Sequence, residues 1–232
     1  GPSPGDGNQT YVARSYDQDN ERTKLTLMQS VEANLFKGLV LRASASWYYF
    51  HTVEENMRKD YETVPGQWDR TRSTSASYSR QFSQTYNAVL DYTTTFATSH
   101  NLNVMLGSEF YDQYNNGFSA SGFGASTDDF KKLGLTDAGE GKRSIDSSHS
   151  RYRILSYFGR LNYDYEGKYL FSGVFRYDGY SSLLGKNRWG FFPGVSGGWV
   201  FTKEDFVKES LPFLYYGKLR ASYGLNGNAS GI

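Results

Sequence analysis

The residues able to do chemistry in this 232-residue chain are few and scattered. Gly194-Val195-Ser196-Gly197-Gly198 has the G-x-S-x-G spacing of a nucleophile elbow, where a strand-to-helix turn presents a serine to a later Asp and His. All three histidines, His51, His100 and His149, precede Ser196, so that template is incomplete and we assign no hydrolase chemistry. The same histidines are far apart and there is no Cys, which leaves little for a zinc-like site. Oxygen ligands for a hard cation exist in Asp128-Asp129 and in Asp17, Asp19 and Glu21. Glu54-Glu55, or Asp60 with Glu62, have the residue types of a glycosidase pair, but nothing sets their separation. Solvated acidic loops are expected at all of these places, with no metal, no cofactor and no catalytic residue.

Arg176 and Asp178 are of another kind. Two residues apart, they share one face of any extended strand. Beside Gly179 they are expected to form a bracing ion pair, with contact to another part of the protein or to a hydroxylated ligand as the functional alternative. Arg160 and Asp164 belong to the same polar set by parity. Aromatic rings supply the remaining binding potential. Trp47, Tyr49, Phe50, Phe110, Tyr111, Tyr165, Tyr169, Trp189, Trp199 and Phe201 gather near expected strand ends, where an interfacial girdle is the expectation and sugar stacking the alternative. Tyr61, Trp68, Tyr114, Phe118 and Phe123 fall in expected loops, and they are the candidates for substrate contact, against packing within the loop.

The elements that must position these groups are strands. Abundant Tyr and Phe, 25 Gly and only 5 Pro suit an all-β chain, and a period-2 reading finds eight segments with one face free of charge. Leu25, Leu27, Val31 and Leu35 oppose Lys24 and Glu32; Leu39, Leu41 and Trp47 oppose Arg42; Tyr86, Leu90 and Tyr92 oppose Asn87 and Asp91; Leu102, Val104 and Leu106 oppose Asn103 and Glu109. Further on, Tyr157, Leu161 and Tyr163 oppose Arg160 and Asp164; Tyr169, Phe171, Phe175 and Tyr177 oppose Arg176 and Asp178. Trp189, Phe191, Val195 and Trp199 oppose Arg188 and Ser196, and Leu219, Ala221 and Tyr223 oppose Lys218 and Arg220.

Alternation alone fits a soluble β-sandwich as well as a membrane barrel. No run of about 18 apolar residues exists, which excludes a transmembrane helix and leaves a barrel open. Loop parity favours the barrel. Lys37-Gly38, 97–100 and 166–168 are tight, whereas 52–72, 113–150 and 179–187 are long or intermediate, the alternation of short periplasmic turns and long external loops. Two irregularities stand out. Thr202 to Gly217 is long on the short side, and a helical turn is expected there, started by Thr202 with Asp205 and ended at Leu211-Pro212. Pro193 removes a ladder donor, so a bulge or rim position is expected. The net charge of +1 gives no reason to expect nucleic acid.

From Ser156 to Phe201 the chain reads SYFGRLNYDYEGKYLFSGVFRYDGYSSLLGKNRWGFFPGVSGGWVF, followed by Lys218-Leu219-Arg220-Ala221-Ser222-Tyr223-Gly224 and Gly227-Asn228. These ordered runs resemble the barrel of the SusC/RagA family of TonB-linked outer-membrane transporters, which carry similar YFGRLNY, KYL, R-x-DG-S and NRWG-x-FPSVS-x-GW segments. Departures are Tyr180 and Leu183 in place of Ser and Phe, and Gly197 where Ala is common. The family motif also puts Ser196 in mid-strand. The resemblance implies an outer-membrane antiparallel β-barrel of about twenty-two strands, of which this chain holds about eight. It implies import of oligosaccharides or peptides rather than enzymatic activity, a SusD-like surface lipoprotein over the external loops, and energy from a TonB-ExbB-ExbD complex acting on a plug domain.

With Gly1-Pro2-Ser3 at its start and Ile232 just after a strand, the chain is expected to be a piece of such a barrel. Residues 1–21 would be a loop or strand remnant and 22–225 the strands, with signal peptide and plug elsewhere. The sequons Asn8-Gln9-Thr10 and Asn228-Ala229-Ser230 then have no bearing. Eight strands closed on themselves would be filled by side chains, so an open sheet is expected. A surface carbohydrate-binding β-protein, a passive porin and a siderophore receptor are the competing readings.

Overall fold

The computed structural model describes residues 14–181 and 188–226. Expectations placed on 1–13, on Leu183 within 182–187, and on Gly227-Asn228 and the two sequons lie outside the described residues. One antiparallel sheet holds eight strands in the order β1-β2-β5-β6-β7-β8-β9-β10, and β1 and β10 are its two unjoined edges. The strands are β1 Tyr16–Phe36, β2 Leu39–Arg58, β5 Ser73–Phe96, β6 His100–Phe123, β7 Arg143–Tyr165, β8 Tyr169–Tyr180, β9 Trp189–Trp199 and β10 Leu219–Gly224. A separate small hairpin pairs β3, Tyr61–Val64, with β4, Gln67–Asp69. Contacts part the chain into two units. The first comprises Gly1–Thr26, Tyr48–Ser83 and Gln113–Arg151, and the second Leu27–Trp47, Gln84–Asp112 and Tyr152–Ile232.

In the second unit tight turns join β1 to β2, β5 to β6 and β7 to β8. Glu166 and Gly167 both have positive φ, 52° and 61°, the left-handed pair that lets a two-residue loop follow the twist of its strands. Gly38 has φ 86° and lies so close to the Thr93 carbonyl that an added Cβ would stand 2.3 Å from it. Only glycine satisfies both conditions.

The registers then sort every side chain. Tyr157 pairs with Tyr177, Gly159 with Phe175, Leu161 with Gly173 and Tyr163 with Phe171; Phe175 faces Pro193 and Gly173 faces Val195; Val195 faces Tyr223. Over Leu155–Tyr165 of β7 and throughout β8, β9 and β10 that face holds no Asp, Glu, Lys or Arg, whereas Arg143, Arg151 and Arg153 share its parity earlier in β7. Phe158 pairs with Arg176, Ser156 with Asp178 and Asp164 with Leu170, and Ser222 pairs with Ser196, so the charges occupy the opposite face. This is the sorting expected from period 2. The uncharged face is not covered: Phe171, Phe191, Val195, Leu219 and Tyr223 are all exposed. Buried apolar residues among those described are only Met57, Ala125, Val200 and Val207, which is no core for a sandwich.

Two local expectations are corrected. Pro193 sits in an unbroken register opposite Phe175, with no bulge. Its carbonyl accepts the Leu225 amide at 2.9 Å, so its missing N–H also points toward that neighbour, one residue past the end of β10, and the ladder to β8 loses nothing. The helix between β9 and β10 exists as α1, Asp205–Ser210, ending before Leu211, but its N-cap is Glu204 and no side chain caps it. Thr202 instead accepts the Gly217 amide at 3.0 Å, closing the base of the connection.

In the first unit the expected loops prove to be largely strand. Residues 52–58 complete β2, 73 begins β5, 113–123 complete β6 and 143–150 begin β7, leaving 59–72 with its small hairpin and 124–142 with a 3-10 turn at Leu133–Leu135. Ser73-Thr74-Ser75-Ala76-Ser77 and Asn115-Asn116-Gly117 have no apolar face, so hydrophobic alternation could not find them although backbone pairing continues.

Candidate functional site

On the charged face of the second unit, the strand alternation sets Arg176 and Asp178 side by side. Arg176 Nε donates to Asp178 Oδ2 at 2.8 Å, and its terminal nitrogen donates to Ser156 Oγ at 2.9 Å. Glu109 stands 3.8 Å from the same guanidinium, and the Phe158 ring lies 5.8 Å beneath it. Asp178 is buried while Arg176 is half-exposed, so the carboxylate's desolvation is offset by a charge-assisted hydrogen bond. Arg176 and Asp178, both on β8, thus form an ion pair. Ser156 and Glu109 are partners that parity placed on the right face without naming the contact.

Asp164 is separate from that pair: it accepts from Asn101 Nδ2 at 2.9 Å and from the Gly167 amide at 3.0 Å, tying the β7–β8 turn to β6. Arg160 has no ion pair among the described residues, and it lines a depression of about 680 Å³ together with Phe158, Arg176, Asp178, Tyr180 and Phe192. A second depression, of about 420 Å³, is lined by Asn101, Asn103, Asn162, Asp164, Ser172, Ser196, Lys218 and Arg220. Its polar groups, set among Leu102, Leu170 and Phe171, are chiefly amides and hydroxyls, several already engaged in short bonds such as Ser172 Oγ to Asn162 at 2.7 Å. Such a surface offers numerous weak hydrogen bonds and no reactive group. Ser196 sits in mid-β9 between Ser172 and Ser222, away from any strand-to-helix elbow.

In the first unit the candidate aromatics do not converge. Tyr61 lies under the Arg58 guanidinium at 4.5 Å, and Arg58 pairs with Asp69 at 3.0 Å. Trp68 is exposed on β4. Tyr114 meets His149 edge-on at 5.4 Å and Arg80 at 5.8 Å. Phe118, exposed, packs 5.6 Å from Tyr78, and Phe123 is exposed at the end of β6. Tyr61 and Tyr114 therefore pack locally, while Trp68, Phe118 and Phe123 present rings to solvent.

Several of the carboxylates considered as cation ligands or as a catalytic pair have cationic partners. Arg72 bridges Asp60 and Asp128, each at 2.7 Å. Lys131 pairs with Asp17 at 2.9 Å and also with Asp19, and Lys132 stands 3.5 Å from Glu55. These bonds fasten 124–142 to the neighbouring strand ends. Burial pushes the Asp128 carboxyl up, but the Arg72 hydrogen bond and the Asp60 amide outweigh it and hold the group below its usual range. The Asp128 hydrogen bond raises Arg72 in turn. No cluster of three metal-ligating residues exists among the described residues. Sequence reading missed the Arg72 hub because its partners are 12 and 56 residues away.

No family model matches the chain. It is 31% identical over 139 residues to TonB-dependent receptor P26 of Formosa agariphila, covering 60% of this chain and 14% of that protein. To TonB-dependent receptor SusC of Bacteroides thetaiotaomicron it is 31% identical over 148 residues, covering 63% of this chain and 14% of the other. The fold is similar to that of the RagAB peptide transporter, with a TM-score of 0.82 and 21% identity over 95% of this chain and 24% of that one. The chain thus spans about 14% of the length of those curated relatives. Its open eight-stranded sheet is a stretch of such a barrel wall.

Proposed function

The chain is a homologue of TonB-dependent receptors, SusC among them, and on that basis we propose that it forms part of the wall of an outer-membrane transporter that imports oligosaccharides or other polymer-derived nutrients. The observation that carries this reading is the uncharged face formed by Leu155–Tyr165 of β7 with β8, β9 and β10. Along β9 it runs from Trp189 to Trp199 through Phe191, Pro193, Val195 and Gly197. Ten steps at about 3.3 Å make about 33 Å, which a tilt of about 40° reduces to about 25 Å, the height of an outer-membrane barrel's apolar band. Tyr177 stacks on Trp189 at 4.7 Å near one end. At the other, the His100 ring lies 4.9 Å from Phe96 and 4.7 Å from Tyr165. Two aromatic girdles bound a band without charge.

On this reading the charged face of β7 to β10 lines the lumen, and Arg160, Asp164, Arg176 and Asp178 are its polar lining. Trp68, Phe118 and Phe123 are the ring surfaces left for a glycan or peptide, or for a SusD-like lipoprotein closing over them. The TonB-ExbB-ExbD complex would act through a plug domain elsewhere in the parent protein.

The test is uptake. In the source bacterium, deletion of the parent gene should abolish entry of a fluorescent oligosaccharide, and a protonophore should abolish it in the undeleted strain. Entry that survives the protonophore would make the protein a passive porin. Loss of iron-chelate uptake with unchanged glycan and peptide entry would make it a siderophore receptor.

A further inference from the structure

The connection between β9 and β10 is long, and its side chains are disposed unlike those of a solvated turn. Thr202 and Gly217 close its base: the Gly217 amide donates to Thr202 Oγ1 at 3.0 Å, and a Cβ at Gly217 would lie 2.2 Å from the Phe201 ring. Glu204 fixes its position. One carboxylate oxygen accepts from Tyr169 Oη at 2.6 Å and Trp199 Nε1 at 3.1 Å, and the other stands 3.3 Å from Lys168 Nζ.

Tyr169 and Trp199 pair directly across β8 and β9 on the uncharged face, so Glu204 anchors the connection at the end of that face and not on the charged one. Phe201 extends the same surface, 6.0 Å from Trp199. Two of the connection's carboxylates have cationic partners, Glu204 in Lys168 of the β7–β8 turn and Asp205 in Lys208 at 2.9 Å. Lys203, Asp205, Lys208 and Glu209 are exposed, and a set of rings and apolar side chains is exposed with them: Phe206, Leu211 and Tyr216, with Phe213 81% exposed and Tyr215 99% exposed. Val207, by contrast, is buried and holds α1 against the protein.

We propose that this connection is a foot that rests in the membrane, its aromatic side chains seated in the headgroup region of the periplasmic leaflet and continuous with the Trp199 and Tyr169 girdle. The inference depends on the reading above, that the second unit's strands cross the outer membrane. Exposed Tyr and Phe among charged side chains suit that depth, since rings partition there while hydroxyls and charges stay wet. The pinned base gives the foot a defined orientation.

The chain has no cysteine, so single labels can be placed at will. In the full-length parent, cleared of any other cysteine, nitroxides at F206C, F213C and V195C would be read in phosphatidylethanolamine–phosphatidylglycerol vesicles by collision with oxygen and with a neutral nickel chelate. The foot predicts that oxygen exceeds nickel at Phe206 and Phe213, at a shallower depth than at Val195. Nickel dominant at Phe213 while Val195 reads lipid would put the connection in water, overturning the foot alone. Shielding of Phe213 from both reagents would mean that protein covers it, which likewise overturns the foot and leaves the strands in lipid. Nickel dominant at Val195 itself would instead remove the membrane reading on which the foot rests.

Discussion

The two units use the same strands to opposite ends. In the second, charge is segregated by strand face and the exposed surface of the other face is apolar, with Phe171, Val195 and Tyr223 uncovered. In the first, Arg72, Lys131 and Lys132 bind irregular backbone to strand ends, and the strands themselves carry Ser, Thr, Asn and Tyr on either side. On the proposed membrane reading, the contrast follows from what the surroundings of each unit demand. A hydrocarbon neighbour penalises any charge on one face, whereas water lets ion pairs form wherever geometry permits and gives each little weight.

Moving a charge should separate the units most strongly. Val195→Arg should cost about 2 to 4 kcal/mol of folding stability in lipid vesicles, read by urea titration, while Phe118→Arg in the first unit should change it by no more than about 0.5 kcal/mol. Equal effects would erase the distinction between the units.

Next in size is packing within the second unit. A Cβ at Gly107 would lie 2.3 Å from the Phe158 ring, so Gly107→Ala should cost about 1 to 3 kcal/mol. Adding Phe158→Leu should recover part of that loss in the same titration. A neutral Gly107→Ala would mean that the ring turns away freely and that this face is not tightly packed.

A smaller effect is expected from Arg72→Ala, about 1 kcal/mol, because the guanidinium and its partners are partly exposed. Its signature is local: limited trypsin digestion should cut within 124–142 much faster, at Lys131 or Lys132, with the second unit left intact. Uniform cleavage of both units would show that the hub supports more than its own loop.

The smallest shift is with pH. Asp128 titrates below its ordinary 3.8 when folded, so its contribution is complete above that value and is lost as pH falls through the lower folded one. Rate-corrected hydrogen exchange should therefore rise in 124–142 only at such acid pH. An onset near about pH 6 would point to a histidine instead.

Legibility followed the same division. Each face assignment in the second unit could be read from residues such as Phe171, Phe175, Arg176 and Asp178, because a two-residue period needs only one buried or lipid-exposed face to appear in the sequence. The Arg176–Asp178 pair was legible for that reason. Strand continuation through Ser73–Ser77 and Asn115–Gly117 was not, because neither face there is apolar. Arg72's partners, the disposition of Phe118 on Tyr78 and the Thr202–Gly217 closure were equally hidden, since they join residues whose separation no local rule constrains.

Local periodicity and turn chemistry were enough to specify an all-β chain with eight main strands, the two faces of each and their tight turns, and the ordered motifs from Ser156 to Gly224 carried the resemblance to a transporter barrel. Tertiary structure was needed to show that the described residues hold no sandwich core, how far the strands run beyond their apolar stretches, that Asp60, Asp128, Asp17 and Asp19 are held by Arg72 and Lys131, and that Glu204 fastens the β9–β10 connection to the uncharged face. Those outcomes depend on which distant strands meet and in what register, a choice made by backbone pairing and packing across the whole sheet.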